Sequence, residues 1–497
     1  MTTQDGDLAA DDARTAVDGI DPADLATALR VLDELTELPP GHPDIHTVKR
    51  ATGRMYRRIR KTRRADARRP DQEADAAVLA STATGSPMRI DDETRGIPLV
   101  SNSRGAYAGE LSKARGCYIC HADYTLVDAF YHWLCPDCAA MSHAKRDQHT
   151  DLTGRRALLT GGRAKIGMYI ALMLLRDGAH LTITTRFPRD AVRRFTELAD
   201  SPEWIDRLKI VGIDLRDPTQ VVALADDVAA AGPLDILINN AAQTVRRSPG
   251  AYSHLVNGES EPLDTHGPLP ELVTFDRISE AHPAALLGSL AQHPVPHADL
   301  DAAAMTRLAL SAGHASLEAH VAGTAIDAGG LLPDLQRSNS WTQTVEEVDP
   351  LELLEVQLCN STAPFILVSR LRPSMAASTA RRTYVVNVSA MEGQFSRRYK
   401  GAGHPHTNMA KAALNMLTRT SAQEMYETDR ILMTAVDTGW ITDERPHDEK
   451  LRIAAEGWHA PLDLVDGAAR VYDPIVRGEA GEDLHGIFLK NFEPHPW

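Results

Sequence analysis

The sequence predicts an α/β protein built on a doubly wound parallel sheet, preceded by a small cysteine-rich module and a helical N-terminal arm. Three observations predict this architecture. Apolar strand-like runs alternate with helical patterns from Asp151 onward. Four of the five cysteines fall in two closely spaced pairs just before that region. Leucines near the N-terminus recur at helical spacing, as on the apolar face of an amphipathic helix.

The composition is that of a soluble globular protein. Of the 497 residues, 43% are hydrophobic and 24% are charged, which are ordinary values for such proteins. No run of eighteen apolar residues occurs, so no membrane span is expected. The N-terminal segment is acidic and has no apolar stretch of the secretory type, so a signal peptide is not expected. These features predict a cytoplasmic location.

The N-terminal arm is predicted over residues 1–92. Residues 1–20 are acidic and poor in large apolar groups, which predicts disorder. Asp21 then supplies an N-cap for a first helix. A second, basic helix is predicted over about 46–64, and the mixed segment 65–98 is interpreted as a linker. One apolar stripe marks the first helix: Leu25, Leu29, Leu32 and Leu35.

Charge is unevenly distributed along the chain. The formal net charge is −15, yet the stretch from Lys49 to Arg69 holds eleven Lys/Arg and a single acid, Asp66. Such a run could bind nucleic acid or another acidic partner. Only Tyr56 interleaves with the arginines, so stacking on bases is poorly supported. We interpret the run instead as a solvated helix face or an arm that docks on the protein's own acidic body.

The main domain is predicted over residues 151–497. Its strand-like runs are separated by helical patterns, the first of which covers Ile166 to Arg176. Strands that alternate with helices indicate βαβ units and a parallel sheet. The predicted strands are 157–159, 181–184, 210–213, 236–238, 384–388, 431–436 and 486–490.

A large insertion interrupts this alternation at residues 246–338. The segment is rich in Pro, Gly, Ala and His and shows no strand–helix alternation. Its histidines do not form a metal motif, because the pair His293 and His297 lies among prolines that argue against one helix face. We interpret the insertion as a lid or an oligomer contact, and we expect a homo-oligomer, either a dimer or a tetramer.

Residues 93–150 are predicted to form a zinc module of zinc-ribbon or treble-clef type. Two CxxC knuckles separated by fourteen residues can complete a tetrahedral four-sulfur shell around one ion. Structural disulfides are disfavoured in a chain without an export signal. A redox CxxC pair is the alternative. Four thiolates leave no open coordination position, so the zinc is expected to be structural. The four ligands are Cys117, Cys120, Cys135 and Cys138.

A glycine-rich turn follows the first predicted strand of the main domain. The stretch TGGRAKIG joins a strand to an apolar helix, and such turns bring backbone N–H groups to a pyrophosphate at a helix N-terminus. Asp214 ends the third predicted strand, and an Asn-Asn-Ala-Ala stretch begins at Asn239 after the fourth. These features predict a Rossmann-like dinucleotide site.

Together these motifs resemble the short-chain dehydrogenase/reductase family over about 151–245 and 339–490. The resemblance implies that the glycine-rich loop holds the cofactor and that Asp214 contacts the adenine. In the family's TGxxxGIG pattern, Lys165 replaces the middle glycine, as in some relatives that prefer NADPH. The cofactor-binding residues that the resemblance implies are Thr160, Gly161, Arg163, Lys165, Ile166, Gly167, Arg186, Asp214, Asn240, Ala241 and Lys411.

Cofactor preference is predicted from charge. An acid at the end of the second strand would bind the ribose 2′-OH and repel a 2′-phosphate. That strand here ends in Arg186 and has no acid. With Arg163 and Lys165 close by in the loop, the pocket favours NADP over NAD. The alternative is that Arg186 only covers the adenine face.

The resemblance implies an active site of Asn, Ser, Tyr and Lys, and two of these are missing. Asn360 and Lys411 match the asparagine and the lysine. Ala390 stands at the serine position, with Ser389 one place earlier and expected to point to the other side of its strand. Thr407 stands at the tyrosine position, and a threonine hydroxyl is too weak an acid to replace a phenol.

Other groups near this segment could supply the proton. His404 lies seven residues before Lys411, the spacing at which enoyl reductases of this family place their tyrosine. Histidine is a competent general acid near neutral pH. Tyr399 is the second candidate, and Glu392 and His406 lie in the same loop. Near the last strands, the family's Pro-Gly is replaced by Thr-Gly, preceded by a carboxylate that is also a candidate: Asp437.

Two functions are therefore considered. The first is an NADP(H)-dependent oxidoreductase that transfers a hydride to or from a small-molecule carbonyl, imine or activated alkene, with a displaced general acid. The retained Asn360 and Lys411 favour it. The second is a nucleotide-binding pseudoenzyme or scaffold that recruits partners through the zinc module and the basic arm. The loss of the serine and the tyrosine favours it.

Overall fold

The computed structural model places most of the chain in two compact units, Met1–Glu73 and Ala74–Trp497. Because the predicted zinc module falls inside the second unit, it is not a compact unit separate from the main domain. The structure describes the following residues: 19–87, 89, 99, 101–247, 249–264, 267–275, 279, 281–283, 327–334, 336–397 and 399–497.

The first unit is helical. Helix α1 (Pro22–Glu34) begins where the Asp21 carboxylate accepts a hydrogen bond from the Ala23 N–H at 2.7 Å. The apolar stripe of this helix is exposed, with Leu29 at 54%. The predicted disorder of residues 1–20 concerns mostly positions outside the described residues.

Helix α2 (Pro43–Ala80) confirms the basic helix but is much longer than predicted. The interpretation of 65–98 as a linker is therefore wrong up to Ala80. The reason is that strong helix formers continue past the arginines in the stretch Glu73–Ala80. Pro70 lies inside the helix, where a proline removes one hydrogen bond but does not prevent the helix when its surroundings favour it.

The cysteine-rich module is a hairpin followed by a short helix. Strands β1 (Tyr107–Gly116) and β2 (Asp123–Asp128) pair antiparallel, and helix α3 (Pro136–Arg146) follows. The apolar residues of this module share one core cluster with Ile441 and Leu462 of the main domain. The module therefore packs directly on this part of the main domain.

Within the described part of the chain, the large sheet has nine strands in the order β11-β10-β9-β8-β6-β3-β4-β5-β7. Among these strands only the terminal pair β10–β11 is antiparallel, so the predicted doubly wound parallel sheet is confirmed. The strands are β3 (Arg156–Leu159), β4 (His180–Thr185), β5 (Leu208–Gly212), β6 (Ile236–Asn239), β7 (Glu271–Thr274), β8 (Thr383–Ser389), β9 (Ile431–Asp437), β10 (Phe488–Lys490) and β11 (Glu493–His495).

Helices cover both faces of this sheet, and each face has its own core cluster. Because the ends of parallel strands meet at one edge, the turns after β3, β6, β8 and β9 come together there. The helices are α4 (Lys165–Arg176), α5 (Pro188–Thr196), α6 (Pro218–Ala230), α7 (Ser253–Ser260), α8 (Pro350–Gln357), α9 (Ala363–Ala376), α10 (Pro405–Asp429), α11 (His447–Ala455) and α12 (Leu464–Glu479).

The insertion contributes to the sheet, which the sequence did not predict. Strand β7 pairs parallel with β5 at the sheet edge. Its side chains are mostly exposed, so the strand lacks the apolar run by which a buried parallel strand is recognised. Residues 284–326 of the insertion, with His293 and His297, lie outside the described residues.

By length and composition alone, the helical stretch Pro350–Ala376 could span a membrane. In the structure, 44% of its most apolar 18-residue segment is buried. In the structure, Leu367 and Leu371 of this stretch belong to the core cluster on one face of the sheet. A core helix passes the same test, so the stretch does not by itself indicate a membrane protein.

Candidate functional site

The glycine-rich loop after β3 has the close packing that a pyrophosphate site requires. Gly161 adopts a positive φ of 71°, which favours glycine. A Cβ on Gly167 would lie 2.0 Å from the Gly161 carbonyl oxygen, so no larger residue fits there. The Asn240 side chain donates to the carbonyls of Thr160 and Gly161 at 3.0 and 3.1 Å. The Thr160 hydroxyl is buried and accepts from the Asn240 and Ala241 N–H groups.

Lys165 occupies the family's glycine position in a glycine-like conformation. Its φ is 54°, a left-handed backbone that costs a residue with a Cβ roughly 1–2 kcal/mol. Its ammonium lies 3.6 Å from the Asp327 carboxylate. Lys165 therefore occupies this position at the cost of backbone strain. The sequence did not predict its acidic neighbour, Asp327.

Three side chains near the start of helix α10 face the cavity. Thr407 and Lys411 are four residues apart, so they lie above one another along the helix, and His404 is the N-cap residue that precedes it. All three line the cavity at the sheet edge. The Thr407 hydroxyl donates to the Thr244 carbonyl at 3.4 Å. His404 thus lies in the same cavity as Lys411, and its role as the general acid stays a prediction.

Lys411 is buried and held by the sheet. Its ammonium donates to the Val388 carbonyl at 2.8 Å, at the end of β8. Burial lowers the pKa of Lys411 to about 8, and the neighbouring Cys359 and Glu392 side chains act in the opposite direction. The lysine thus exchanges its proton much closer to neutral pH than an exposed lysine does.

His404 is rigidly oriented. Its ring stacks on Trp341 with centroids 4.1 Å apart and an angle of 8°. Its Nδ1 lies 2.8 Å from the Trp341 carbonyl oxygen, and because a carbonyl only accepts, Nδ1 carries a proton. Nε2 is then the nitrogen that can exchange a proton with a ligand. The backbone of His404 is left-handed, with φ 44°, a conformation that often marks functional positions in proteins.

The structure does not bring three of the predicted site residues to the cavity lining: Thr160, Asn360 and Tyr399. Tyr399 is 76% exposed. Asn360 is buried in a π-helical turn, Leu358–Thr362, where its amide exchanges hydrogen bonds of 2.7 and 2.8 Å with the backbone of Gln243. Asn360 therefore fixes the segment after β6. His406 is also buried, and burial lowers its pKa to about 4.

Asp437 lies at the end of β9, beside Ser389 at the end of β8. One carboxylate oxygen accepts from the Gly439 N–H at 2.9 Å. The other is buried and has no hydrogen-bond partner among the residues that the structure describes. Burial raises the pKa of Asp437, against the hydrogen bond from Gly439. The Ser389 hydroxyl donates to Asn415 at 2.6 Å.

Two of the three predicted phosphate-binding cations have carboxylate partners. Arg163 pairs with Asp190, as Lys165 does with Asp327. Arg186 pairs with no carboxylate in the described part of the chain. Its guanidinium lies over the rings of Phe187 and Tyr252, 5.7 and 5.1 Å from their centroids.

Asp214, the predicted adenine contact, is held by neighbouring side chains. Arg216 donates to both of its oxygens, and His282 Nε2 lies 3.3 Å away. Burial alone would raise the pKa of Asp214, but the hydrogen bonds from His282 and Arg216 outweigh burial and keep the pKa far below its usual range. Asp214 is therefore a carboxylate at neutral pH.

One cavity of about 880 Å³ joins these groups. It has the size of a typical small-molecule or cofactor site. From the glycine-rich loop it runs to the ends of β8 and β9. The predicted site residues that line it are Gly161, Arg163, Lys165, Ile166, Gly167, Arg186, Asp214, Asn240, Ala241, His404, Lys411 and Asp437.

The four cysteines of the module fit one metal ion. Their sulfur atoms all lie within 4.8 Å of one another, and Cys120 and Cys135 are 3.6 Å apart. A tetrahedral zinc with Zn–S bonds of about 2.3 Å would separate its sulfurs by roughly 3.8 Å. All five cysteines are free thiols, so the arrangement is not one of disulfides.

Among the cavity residues that the sequence analysis did not single out is a tyrosine of the four-cysteine module. Tyr118, which stands between Cys117 and Cys120, lines the cavity. Its hydroxyl accepts a hydrogen bond from the Trp440 N–H at 2.9 Å. Burial raises the pKa of Tyr118 to about 12, and the negative charge of Asp437 adds to this. No local signal distinguishes Tyr118 from the other aromatic residues of the module.

The fold and the cavity define a dinucleotide-binding α/β protein of Rossmann type. Residues 155–255 match the family model described as short chain dehydrogenase. Over this stretch the chain is therefore similar to the short-chain dehydrogenase/reductase family, which supports an NAD(P)-dependent oxidoreductase. It departs from the family's pattern at Ala390 and Thr407, which stand where the family has its serine and tyrosine.

Several known proteins are similar to this chain. An uncharacterized protein of Acanthamoeba polyphaga mimivirus is 29% identical over 73% of this chain and 71% of its own length. A probable oxidoreductase of Streptomyces antibioticus is 42% identical over 18% of this chain and 30% of its own length. The RhlG/NADP active-site complex of Pseudomonas aeruginosa is 18% identical over 68% of this chain and 95% of that chain, with a TM-score of 0.41.

Proposed function

We propose that this protein is an NADP(H)-dependent oxidoreductase that transfers a hydride to or from a small-molecule carbonyl, imine or activated alkene, with His404 as the displaced general acid. The observation that supports this most is the shared cavity. His404 and Lys411 line the same 880 Å³ space as the glycine-rich loop. The family's cofactor motif and a proton-exchanging side chain therefore face one ligand volume.

The nicotinamide supplies the hydride when the cofactor is bound. Lys411, fixed by the Val388 carbonyl, binds the ribose and contributes positive charge. His404 Nε2 gives a proton to the reacting heteroatom or removes it, because Nδ1 is already committed to Trp341. Asn360 holds the segment after β6 in place through Gln243. The free cysteine thiols suit a reducing, cytoplasmic location, which we also propose.

A substrate screen tests this function. Purified protein is mixed with NADPH and, separately, with cyclohexanone, acetophenone, menadione, cyclohexenone and a cyclic imine, and cofactor oxidation is followed by absorbance. We expect at least one class to be reduced. Tight NADPH binding without oxidation in any mixture would instead favour the nucleotide-binding pseudoenzyme, which the loss of the family's serine and tyrosine supports.

We expect the substitution Arg186→Asp to reverse the cofactor preference. Of the three predicted phosphate-binding cations, Arg186 is the one without a carboxylate partner among the described residues, so it is the one of the three available to a 2′-phosphate. An aspartate there would repel that phosphate and accept a hydrogen bond from a ribose 2′-OH. Calorimetric titration should show tighter NADP(H) than NAD(H) binding for the wild type, by roughly tenfold or more.

The control for this substitution is Arg189→Asp, which changes an arginine that donates to the Glu261 carbonyl and is absent from the cavity lining. It should leave the preference unchanged. Equal affinities of the wild type for the two cofactors would contradict the prediction.

We expect NADPH affinity to fall as the pH rises through about 8. Burial lowers the pKa of Lys411 to about 8, so the side chain is a cation below that pH and becomes neutral above it. The cation attracts the anionic cofactor, and the loss of that attraction should weaken binding by up to about tenfold per pH unit. Titrations at several pH values measure this. A profile that is equally steep in Lys411→Gln would contradict the assignment.

A further inference from the structure

A tyrosine of the four-cysteine module reaches the cavity from outside the sheet. Tyr118 lies between two cysteines of the cluster, and its N–H donates to the Trp133 carbonyl at 2.9 Å. Its ring is tilted against the Trp133 ring, with centroids 6.2 Å apart. The direction of the Tyr118 side chain is therefore determined by the fold of the module and by the metal that the cysteines fit.

The hydroxyl of Tyr118 accepts one hydrogen bond and is still able to donate one. Its oxygen accepts from the Trp440 N–H, just after Gly439 in the segment that follows β9 and lines the cavity. A phenol also donates one hydrogen bond, and within the described ranges no acceptor takes the Tyr118 proton. Asp437 and Glu392, whose charges act on this phenol, line the same cavity. The O–H group is thus available to a ligand.

The hydroxyls at the family's tyrosine position and next to its serine position are engaged elsewhere. Thr407 donates to the Thr244 carbonyl, and Ser389 donates to Asn415. Ala390, at the serine position, has no hydroxyl. A reacting oxygen in this cavity therefore lacks the two donors that a typical family member provides.

We propose that Tyr118 donates a hydrogen bond to the reacting oxygen of a carbonyl substrate, so that the zinc module supplies the phenol missing from helix α10. The proposal rests on the oxidoreductase function proposed above. In the reduction, a hydride adds to the carbonyl carbon, the C=O π electrons move to oxygen, and that oxygen takes a proton from the His404 imidazolium. NADPH is oxidised to NADP⁺, the carbonyl is reduced to an alcohol, and solvent reprotonates His404. Tyr118 keeps its proton and stabilises the charge that develops on oxygen.

The substitution Tyr118→Phe tests the proposal, because it keeps the ring and removes only the hydroxyl. We expect kcat with cyclohexanone, acetophenone or menadione to fall by about 10²–10³-fold, as for the loss of one oxyanion donor. The zinc content and the Kd for NADPH should stay at their wild-type values. The matched control is Tyr124→Phe, in the same module, whose hydroxyl donates to the His132 carbonyl at 3.0 Å and is absent from the cavity lining. It should retain kcat within about twofold.

The possible results separate the two proposals. A Tyr118→Phe variant with wild-type kcat overturns the role of Tyr118 and leaves the oxidoreductase function standing. A fall in kcat with an equal loss of zinc or of NADPH binding also overturns it, since a structural role then explains the change. A wild type that oxidises NADPH with none of the three carbonyl probes overturns the Tyr118 proposal. If the wild type also fails to oxidise NADPH with cyclohexenone and the cyclic imine, the proposed oxidoreductase function is overturned as well.

Discussion

Replacing His404 by alanine is expected to lower kcat by about 10²–10⁴-fold, the usual cost of losing a general acid. The histidine is stacked on Trp341 and anchored through Nδ1, so its Nε2 is held in one place relative to Lys411. Steady-state kinetics with NADPH and the best substrate of the screen would measure the loss. NADPH affinity should change little, because Lys411 and the glycine-rich loop remain.

Two further variants make this result interpretable. His404→Asn should lose as much activity as His404→Ala. Asparagine tolerates the left-handed backbone of this position and can still donate to the Trp341 carbonyl. We therefore expect the His404→Asn variant to fold like the wild type. Thr407→Ala, in the same cavity lining, should keep kcat within a few-fold. Comparable losses in Thr407→Ala and His404→Ala would assign both effects to the shape of the helix start and not to proton transfer.

Removing one ligand of the cysteine cluster is expected to abolish zinc binding and to destabilise the protein. Structural zinc contributes roughly 10–16 kcal/mol to the folding of isolated zinc-finger peptides. The Cys117→Ser variant should therefore lose at least about 3 kcal/mol in the free energy of unfolding. Elemental analysis should find one zinc per wild-type chain and close to none in this variant.

The fifth cysteine provides the control for this experiment. Cys359 lies outside the cluster, so Cys359→Ser should retain one zinc per chain. A wild type without zinc, or with disulfides under reducing conditions, would refute the zinc assignment. The module's core is continuous with Ile441 and Leu462, so we expect metal loss to lower the thermal transition of the whole second unit.

Most of the fold that could be predicted was predicted from patterns among residues close together in the sequence. The apolar runs of β3, β4, β5, β6, β8, β9 and β10 appear as consecutive residues, so the parallel sheet could be predicted from them. Strand β7 could not, because its side chains are mostly exposed and only pairing with β5 makes it a strand. The length of α2 was not predicted, because its charged composition and Pro70 are not typical of one continuous helix.

The site likewise contains features that neighbouring residues determine and features that only tertiary contacts determine. The sequence by itself determined the CxxC pairs, the glycine-rich loop, Lys411 and the absence of the family's serine and tyrosine, because each depends on neighbours a few residues apart. Only the tertiary structure decided that Tyr399 is exposed and that Asp190 and Asp327 pair with the loop cations. It also brought Tyr118 to Trp440, 322 residues later in the chain. Contacts of that separation depend on how the module packs against the sheet, and no local spacing encodes them.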